Sequence, residues 1–446
     1  MLTLLHFLEN AKSTDEFLVL SGGSHTYAQC LKLTIELAST LRLKGAEGKR
    51  IALKGLSNTE LALLLPGIES VASALFLAPE NLKTEELNKL YTEACIDLAV
   101  SLENGSPVLD WIKPNLKQIR TEVGCSWIIP TSGTTSTPKC VVHTLQSLIK
   151  SCKSKNPNNK TIVWGLLYSI SRFAGLQVYL QALLSGSSLC VANDLSDLHS
   201  TFAFFSRSKV NALSATPSMW RKALMHKEAL QLKPVSITLG GEIADQGILN
   251  ALAKFYPTCK IRHIYASTEL GFGFSVSDGL AGFPKSFINN KDLGVILKVT
   301  DDGQLMARVD LRGELICNDP TNDDGFFPTG DEVEVIEERV FFKGRINGAI
   351  NIGGNKIQPE FIEGVILEVE GVEMAQVSPR KNSITGYLLQ ATIVPKAGSD
   401  SAEVLHQVKN HCRKNLKPFQ APSIYIIADN LSLTSNGKIE RRANEI

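Results

Sequence analysis

The chain has 446 residues, of which 43 % are hydrophobic and 20 % are charged. This length predicts more than one domain, and the composition is typical of folded globular proteins rather than of disordered chains. Because 46 Lys and Arg residues stand against 45 Asp and Glu residues, the formal net charge is +1. A charge this small argues against nucleic acid or an anionic membrane surface as the main partner.

The cysteines and the apolar stretches indicate a cytoplasmic protein without a membrane span. Nine cysteines occur without a CxxC pair, and this odd number favours reduced thiols over a disulfide framework or a zinc site. Residues 1–16 lack the basic region and cleavage site of a signal peptide and predict an amphipathic helix. The apolar stretch 161–193 is interrupted by Arg172, so it falls short of the roughly 20 continuous apolar residues that a membrane helix requires.

Helical and strand patterns alternate along most of the chain. Apolar spacing predicts a helix at 27–43, and the segments after it predict a strand at 50–53, helices at 60–76 and 83–94, and a strand at 97–100. This alternation predicts an α/β fold in which helices cover a parallel sheet and functional loops follow the carboxyl ends of the strands. Further strands are predicted at 127–130, 189–192, 212–214, 236–239 and 261–265.

Beyond about Gly282 the pattern changes to short strands separated by turn pairs, which predicts an antiparallel β subdomain. The C-terminal part predicts a small α+β domain with helices at 358–367 and 401–416 and strands at 390–394 and 423–427. We therefore predict a large N-terminal domain of layered α/β sheets plus a β subdomain at 1–346, and a small mobile C-terminal α+β domain at 347–446.

The loop from Thr131 to Lys139 has the composition of a polyphosphate-binding loop. It follows a predicted strand and reads TSGTTSTPK, so it combines many hydroxyl side chains with one glycine and one lysine. Hydroxyls, backbone N–H groups and an ammonium all donate to phosphate oxygens without steric bulk. The loop differs from the GxxxxGK[ST] sequence of the common nucleotide triphosphatases.

The run TSGTTSTPK resembles the phosphate loop of the adenylate-forming superfamily, which includes acyl-CoA and aryl-CoA synthetases and the adenylation domains of peptide synthetases. Five further segments resemble motifs of that superfamily in the same order, so the resemblance covers nearly the whole chain. They are Gly240-Gly241-Glu242, Tyr265-Ala266-Ser267-Thr268-Glu269, Phe327-Pro328-Thr329-Gly330-Asp331, Gly344-Arg345 with the following Asn351-Ile352-Gly353-Gly354-Asn355-Lys356, and Leu433-Thr434-Ser435-Asn436-Gly437-Lys438-Ile439.

The resemblance implies a role for each motif. Glu269 would hold Mg²⁺, Asp331 would accept hydrogen bonds from the ribose hydroxyls, and Lys438 would stabilise the charge that develops as the acid attacks ATP. Tyr265 would offer a flat face to the adenine ring. The resemblance assigns catalysis to Lys438, Thr268 and Lys139, and nucleotide binding to Thr131, Ser132, Gly133, Thr134, Thr135, Lys139, Gly240, Gly241, Glu242, Tyr265, Thr268, Asp331, Arg345 and Lys438.

Two further sites follow from the same resemblance. An acyl pocket is expected at Arg172, Phe173 and Gly175, where Arg172 stands at the place of a histidine that is frequent in the superfamily. A hinge and a tunnel for the thiol are expected at Asn347, Gly353 and Gly354. The chain departs from the superfamily pattern at Ser136 and Cys140, where glycine is usual, and at Asn347, where Asp or Lys is usual.

The predicted function is therefore the ATP-dependent activation of a small-molecule carboxylic acid as an acyl-adenylate, followed by transfer to a thiol. The cofactors implied are ATP, Mg²⁺ and coenzyme A. One alternative is transfer to the phosphopantetheine thiol of an acyl carrier protein, and the sequence does not decide between the two acceptors. Another is an inactive relative that serves as a nucleotide-binding scaffold, and exchange of pyrophosphate into ATP would distinguish it.

Overall fold

The computed structural model describes residues 2–79, 82–112, 124–131, 138–153, 161–310, 312–316, 321–352, 355–382, 386–434 and 437–440. Strands and helices alternate from the N-terminus. They are α1 (Leu4–Asn10), β1 (Glu16–Leu20), β2 (Gly23–Thr26), α2 (Tyr27–Leu43), β3 (Arg50–Leu53), α3 (Asn58–Glu69), β4 (Ala74–Leu77), α4 (Thr84–Glu93), β5 (Leu98–Glu103), β6 (Ser106–Trp111), β7 (Ser126–Pro130), β8 (Cys140–His143) and α5 (Leu145–Ile149).

The alternation continues through the middle of the chain. The elements there are β9 (Val163–Leu166), α6 (Phe173–Ser185), β10 (Ser188–Val191), α7 (Leu198–Arg207), β11 (Ala212–Ala215), α8 (Pro217–Leu224), α9 (Lys227–Leu230), β12 (Ser236–Leu239), α10 (Gln246–Phe255), β13 (Lys260–Ser267) and β14 (Gly271–Val276).

Short strands then dominate up to the predicted domain boundary. They are β15 (Phe283–Pro284), β16 (Ile296–Val299), β17 (Gln304–Arg308), β18 (Glu314–Leu315), β19 (Phe327–Ile336) and β20 (Arg339–Arg345). The C-terminal part contains β21 (Ile350–Ile352), β22 (Asn355–Ile357), α11 (Pro359–Leu367), β23 (Val372–Asn382), β24 (Gly386–Pro395), α12 (Ser401–Asn415) and β25 (Ile424–Ile427).

Two large sheets form the N-terminal part. One has seven strands in the order β18-β8-β7-β4-β3-β5-β6, and the other has eight in the order β14-β13-β12-β11-β9-β10-β1-β2. Their central strands pair in parallel, as the sequence predicts, whereas the strands at their edges pair antiparallel. Helices α1, α2, α3 and α6 contribute to a continuous apolar core with strands of both sheets, in which Leu65, Ile68 and Tyr179 are fully buried. Each such side chain contributes about 1.5 to 3 kcal/mol of burial free energy.

Local sequence explains where the helices begin. The Thr26 hydroxyl accepts a hydrogen bond from the Gln29 N–H, and the Gln29 side chain accepts one from the Thr26 N–H. This reciprocal capping satisfies two N–H groups that a helix start leaves without partners. Ser57 and Glu60 cap α3 in the same way. As a result, the predicted helix at 27–43 has the observed bounds of α2.

The predicted helix at 60–76 is wrong in its second half. α3 ends at Glu69, and the residues Ala74–Leu77 form β4 instead. All four residues of β4 are buried, and a strand buried on both faces lacks the alternation that distinguishes it from a buried helix.

The remaining sheets confirm the predicted change from alternating helices and strands to short antiparallel strands. A five-stranded sheet in the order β15-β20-β19-β17-β16 is antiparallel throughout and forms the β subdomain. The C-terminal part has a three-stranded sheet, β23-β24-β25, packed against α11 and α12 around a core of its own. The domain boundary placed at Asn347 stays a prediction, and it falls within a short 3₁₀ turn, Ile346–Gly348.

Two observations concern the membrane and thiol predictions. The longest helix among the described residues is α2 with 17 residues, and none of the described helices combines the length and apolarity that crossing a bilayer demands. No disulfide joins the eight cysteines that the structure describes.

Candidate active site

A cleft of about 1880 Å³ lies between the N-terminal and C-terminal parts and collects most of the predicted site residues. Thr131, Lys139, Arg172, Phe173, Gly240, Gly241, Glu242, Tyr265, Thr268, Glu269, Asp331, Arg345, Asn347 and Lys438 all line it. Gly175 does not line it. Ser132, Gly133, Thr134, Thr135, Ser136, Gly353 and Gly354 lie outside the described residues.

Parallel strands position two of the motifs, and Thr216 beside them, at one edge of the eight-stranded sheet. Thr216 follows β11, Gly240 follows β12 and Thr268 follows β13, and these strands are neighbours that pair in parallel. Residues that follow such strands share one edge of the sheet, which is where ligands bind in open α/β folds.

The two ends of the phosphate loop are joined where the structure describes them. The Thr131 N–H donates to the Lys139 carbonyl over 2.8 Å, and the Lys139 N–H donates to the Thr131 hydroxyl over 3.3 Å. The following Cys140 is buried in β8 opposite Pro130. A cysteine in a strand needs no left-handed backbone, so the replacement of the usual glycine there is accommodated.

Asp331 and Arg345 form an ion pair on adjacent strands of the β subdomain. Their register places them opposite each other on β19 and β20, and Arg345 Nε lies 3.1 Å from Asp331 Oδ1. The Tyr265 hydroxyl donates to the other carboxylate oxygen of Asp331. Burial raises the pKa of Asp331, and the Arg345 guanidinium opposes that rise. A carboxylate held in this way presents a fixed acceptor to the cleft.

The ring of Tyr265 is already in contact with two phenyl rings. Its centroid lies 5.3 Å from that of Phe274 and 5.1 Å from that of Phe342, with interplanar angles of 25° and 23°. The adenine-stacking role of Tyr265 therefore stays a prediction, and the observed contacts show that packing and the Asp331 hydrogen bond hold the ring.

Lys438 enters the cleft from the C-terminal part. A Cβ placed on Gly241 would lie 3.3 Å from Lys438 Cε, so the lysine stem lies against the Gly240–Glu242 turn. The Lys438 side chain is exposed to solvent because it projects into the open cleft. The surrounding protein nevertheless lowers the pKa of Lys438 by desolvation, and the Glu242 carboxylate is the strongest group opposing this change.

The described residues of the Lys438 segment are hydrogen-bonded to the N-terminal part at two points. The Thr216 hydroxyl donates to the Gly437 carbonyl, and the Ile439 N–H donates to Glu242 Oε1 over 3.2 Å. We call these two contacts the interdomain hydrogen bonds. The other carboxylate oxygen of Glu242 accepts from the Ser218 N–H at the start of α8. Both oxygens of Glu242 thus bind backbone groups, although the resemblance assigns this residue to the nucleotide.

The Lys438 hairpin is tied to the rest of the C-terminal part. Leu433 and Ile439 form an isolated β-bridge. The Gln376 side chain on β23 donates to the Glu440 carbonyl over 2.7 Å. Leu433 and Ile439 also pack on a small core that includes Met374. The lysine is therefore carried on a braced hairpin.

The acyl side of the cleft is formed at the start of α6. Arg172 occupies the N-cap position of this helix and Phe173 its first turn, and both line the cleft together with Tyr168. Tyr168 is buried. Gly175 instead packs directly against the Ser169 carbonyl, where it permits the close approach of the backbone.

The family comparison agrees with this arrangement. A family model described as AMP-binding enzyme matches residues 7–325. The chain belongs to the AMP-binding enzyme family. A second model, described as AMP-binding enzyme C-terminal domain, matches residues 362–438 and so ends at the lysine of the cleft.

Known relatives of this AMP-binding enzyme differ in how much of their length it spans. The chain is 25 % identical to a dimodular nonribosomal peptide synthase of Bacillus subtilis (strain 168), with 87 % of this chain but 16 % of the synthase covered. It is 24 % identical to a 2-succinylbenzoate--CoA ligase of Listeria monocytogenes serotype 4b (strain F2365), with 95 % and 94 % covered. A solved benzoate CoA ligase from Burkholderia xenovorans LB400 has the same fold, with a TM-score of 0.77, 16 % identity and 99 % of each chain covered.

Thr216, His143 and Gly313 are among the residues that hold the site of this AMP-binding enzyme in place and that the sequence analysis did not identify. Thr216 could have been found, because Thr-Pro-Ser directly after a strand is a helix-start signal at the edge of the sheet where ligands bind. His143 and Gly313 carry no such signal. They reach the Thr268-Glu269 turn from distant parts of the chain.

Proposed function

We propose that this AMP-binding enzyme activates an organic carboxylic acid with ATP and transfers the acyl group to a thiol. The observation that carries the proposal is the convergence of Lys438 with Asp331, Arg345 and the Thr268-Glu269 turn in one cleft, although they come from separate parts of the chain. Retention of all these groups argues against an inactive scaffold.

In the first half-reaction a carboxylate oxygen of the acid attacks the α-phosphorus of ATP. The new acyl–O–P bond forms as the bond from the α-phosphorus to the bridging oxygen breaks, and pyrophosphate leaves. Negative charge grows on the phosphate oxygens in this transition state. The Lys438 ammonium would stabilise that charge, and Thr268 would donate its hydroxyl hydrogen to the α-phosphate.

The charged side chains that line the cleft suit a nucleotide and a divalent metal ion. Asp331 with Arg345 suits the ribose hydroxyls, and Lys139 suits the phosphates. Glu269 would hold Mg²⁺, because this hard cation prefers carboxylate oxygens together with nucleotide phosphates. The bound ion would supply charge neutralisation at the phosphates.

In the second half-reaction a thiolate attacks the acyl carbon, the acyl–O bond breaks and AMP leaves. The acyl part would lie toward Arg172 and Phe173, and the hinge near Asn347 would let the C-terminal part rotate between the two half-reactions. Free coenzyme A and the phosphopantetheine of a carrier protein are the two acceptors to compare in the transfer assay.

Exchange of labelled pyrophosphate into ATP, measured across aryl and alkyl acids, tests the proposal. The Lys438→Ala variant should lose at least about a hundredfold of this exchange, because removing a charge at the transition state costs about 3 to 4 kcal/mol. Transfer from preformed acyl-adenylate to thiol should remain nearly intact. Lys414→Ala, an exposed lysine on α12, is the matched control. Absence of exchange with every acid would refute the proposed function.

A further inference from the structure

The turn that carries Thr268 and Glu269 is fixed by three hydrogen bonds to its backbone or within it. The Leu270 N–H donates to the Ser267 hydroxyl over 3.0 Å. The Glu269 carbonyl accepts from the Gly313 N–H over 3.0 Å. The Thr268 carbonyl lies 2.7 Å from Nε2 of His143. Two of these contacts come from outside the β13–β14 hairpin, so the surrounding structure determines where the Thr268 and Glu269 side chains point.

The tautomer of His143 follows from its partners. The residue is 1 % exposed, and burial lowers the pKa of its imidazole to about 4, so the ring is neutral near pH 7. A carbonyl oxygen only accepts, so Nε2 must carry the hydrogen that it donates to Thr268. Nδ1 then accepts from the Ser147 hydroxyl 2.9 Å away, and this tautomer directs the single hydroxyl hydrogen to Nδ1 rather than to the Thr144 carbonyl, which lies at the same distance. The ring also lies 5.7 Å, centroid to centroid, from Phe173 on the acyl side of the cleft.

Gly313 makes room for this histidine. A Cβ at position 313 would lie 2.5 Å from His143 Nε2 and 2.3 Å from Val141 Cγ1. No side chain larger than hydrogen fits without displacing the imidazole. The same glycine supplies the N–H that binds the Glu269 carbonyl. His143 on β8 and Gly313, which directly precedes the paired strand β18, therefore hold two consecutive carbonyls of the turn.

We propose that His143 is a positioning residue for adenylation: its Nε2–H bond to the Thr268 carbonyl orients the Thr268 hydroxyl and the Glu269 carboxylate toward the α-phosphate and Mg²⁺. The inference rests on the proposed function, because it assigns that turn to the nucleotide. A buried histidine with a purely structural role would affect stability alone. His143 instead acts on the first half-reaction, because only that step uses ATP and its metal.

A matched pair of variants separates the two roles. A glutamine amide reaches about as far as Nε2 of the imidazole, whereas an asparagine amide reaches only about as far as Nδ1. His143→Gln therefore keeps a donor for the Thr268 carbonyl, and His143→Asn removes it. We expect the asparagine variant to lose roughly ten- to a hundredfold in pyrophosphate exchange, the range expected when reacting groups are displaced by up to about 1 Å. The glutamine variant should stay within a few-fold of the wild type.

Three further readouts accompany the exchange assay. Transfer of the acyl group from preformed acyl-adenylate should be the same in both variants. The Mg²⁺-dependent affinity for ATP, measured by calorimetry without turnover, should fall in the asparagine variant only. The melting temperature should drop in both. Leu148→Ala, which truncates a buried side chain of α5, provides the control for lost stability with normal exchange below its melting temperature.

The outcomes are distinct. Equal losses in the glutamine and asparagine variants, or a loss no larger than that of Leu148→Ala, would overturn the positioning role. A parallel fall in thiol transfer would overturn it as well. Absence of exchange in the wild type would instead refute the proposed function, and the calorimetric comparison of the two variants would still decide the role of His143.

Discussion

The interdomain hydrogen bonds predict that Thr216 supports the first half-reaction specifically. Its hydroxyl donates to the Gly437 carbonyl, next to Lys438, and accepts from the Met219 N–H as the N-cap of α8. Thr216 is fully buried. Thr216→Val keeps the shape of the side chain and removes both hydrogen bonds, whereas Thr216→Ser keeps the hydroxyl and removes only a methyl group.

The two lost bonds act on different quantities. Loss of the cap lowers the free energy of unfolding by about 1 kcal/mol in every conformation of the domains. Under the proposed rotation, loss of the Gly437 contact would penalise only the conformation with Lys438 in the cleft, since the carbonyl would meet water in the rotated conformation. A buried carbonyl without a partner costs about 1 to 2 kcal/mol. Pyrophosphate exchange should therefore fall roughly five- to thirtyfold.

Separate assays of the half-reactions measure this effect. Exchange should fall in Thr216→Val and stay near the wild-type rate in Thr216→Ser. Thioester formation from preformed acyl-adenylate should be unchanged in both, because that step does not require Lys438 in the cleft. An equal fall in the two half-reactions, or an unchanged exchange rate in the valine variant, would refute the role given to the interdomain hydrogen bonds.

Three other predictions follow from named contacts. Glu269→Gln should raise the Mg²⁺ concentration needed for exchange by about tenfold and leave the melting temperature unchanged, since an amide is the poorer ligand; an unaltered Mg²⁺ dependence would remove Glu269 from the metal site. Arg172→Leu should reduce the kcat/KM preference for a hydroxybenzoate or a dicarboxylic acid over benzoate by about 1 to 3 kcal/mol, and an unchanged ratio would contradict a role in recognition. Burial raises the pKa of Glu69 from its ordinary value of 4.5 to about 7, so the folded state binds the proton more tightly and loses stability as pH rises from about 4.5 to 7. Glu69→Gln should thus increase the free energy of unfolding at pH 8 by up to about 3 kcal/mol and change it little at pH 4, and equal effects at both pH values would contradict the assigned ionisation.

The secondary structure could be predicted wherever the sequence carries local signals. The helix predicted at 27–43 has its predicted bounds, with Thr26 as its N-cap, and a strand with clear flanking turns, Ser236–Leu239, has its predicted bounds as well. The prediction of a helix at Ala74–Leu77 failed because this strand is buried on both faces and so lacks the alternation of apolar and polar residues that identifies a strand. The local sequence pattern therefore predicts secondary structure well at the ends of elements and on half-buried faces, and poorly in segments that are buried on both faces.

The candidate site could be predicted in part for a related reason. The ordered motifs identify residues that the structure brings into one cleft, including Lys438, Asp331 and Arg345. The contacts that orient them could not be read from the chain. His143 and Thr268 are 125 residues apart in sequence and belong to segments of two different sheets, which pack against each other. Glu242 likewise binds Ile439 across 197 residues, a contact that no motif encodes.

The bracing of the lysine hairpin has a consequence for the timing of the reaction. Because Leu433 and Ile439 pack on Met374 and Val394, and the Gln376 side chain donates to the Glu440 carbonyl, Lys438 has little reach of its own, and under the proposed rotation it would leave the cleft only with the whole C-terminal part. Under that proposal, the interval between the two half-reactions would depend on the movement of the whole C-terminal part through solvent rather than on a loop fluctuation. Where that motion limits turnover, the rate should decrease as solvent viscosity rises, and it should respond to viscosity more strongly than the chemistry of either step.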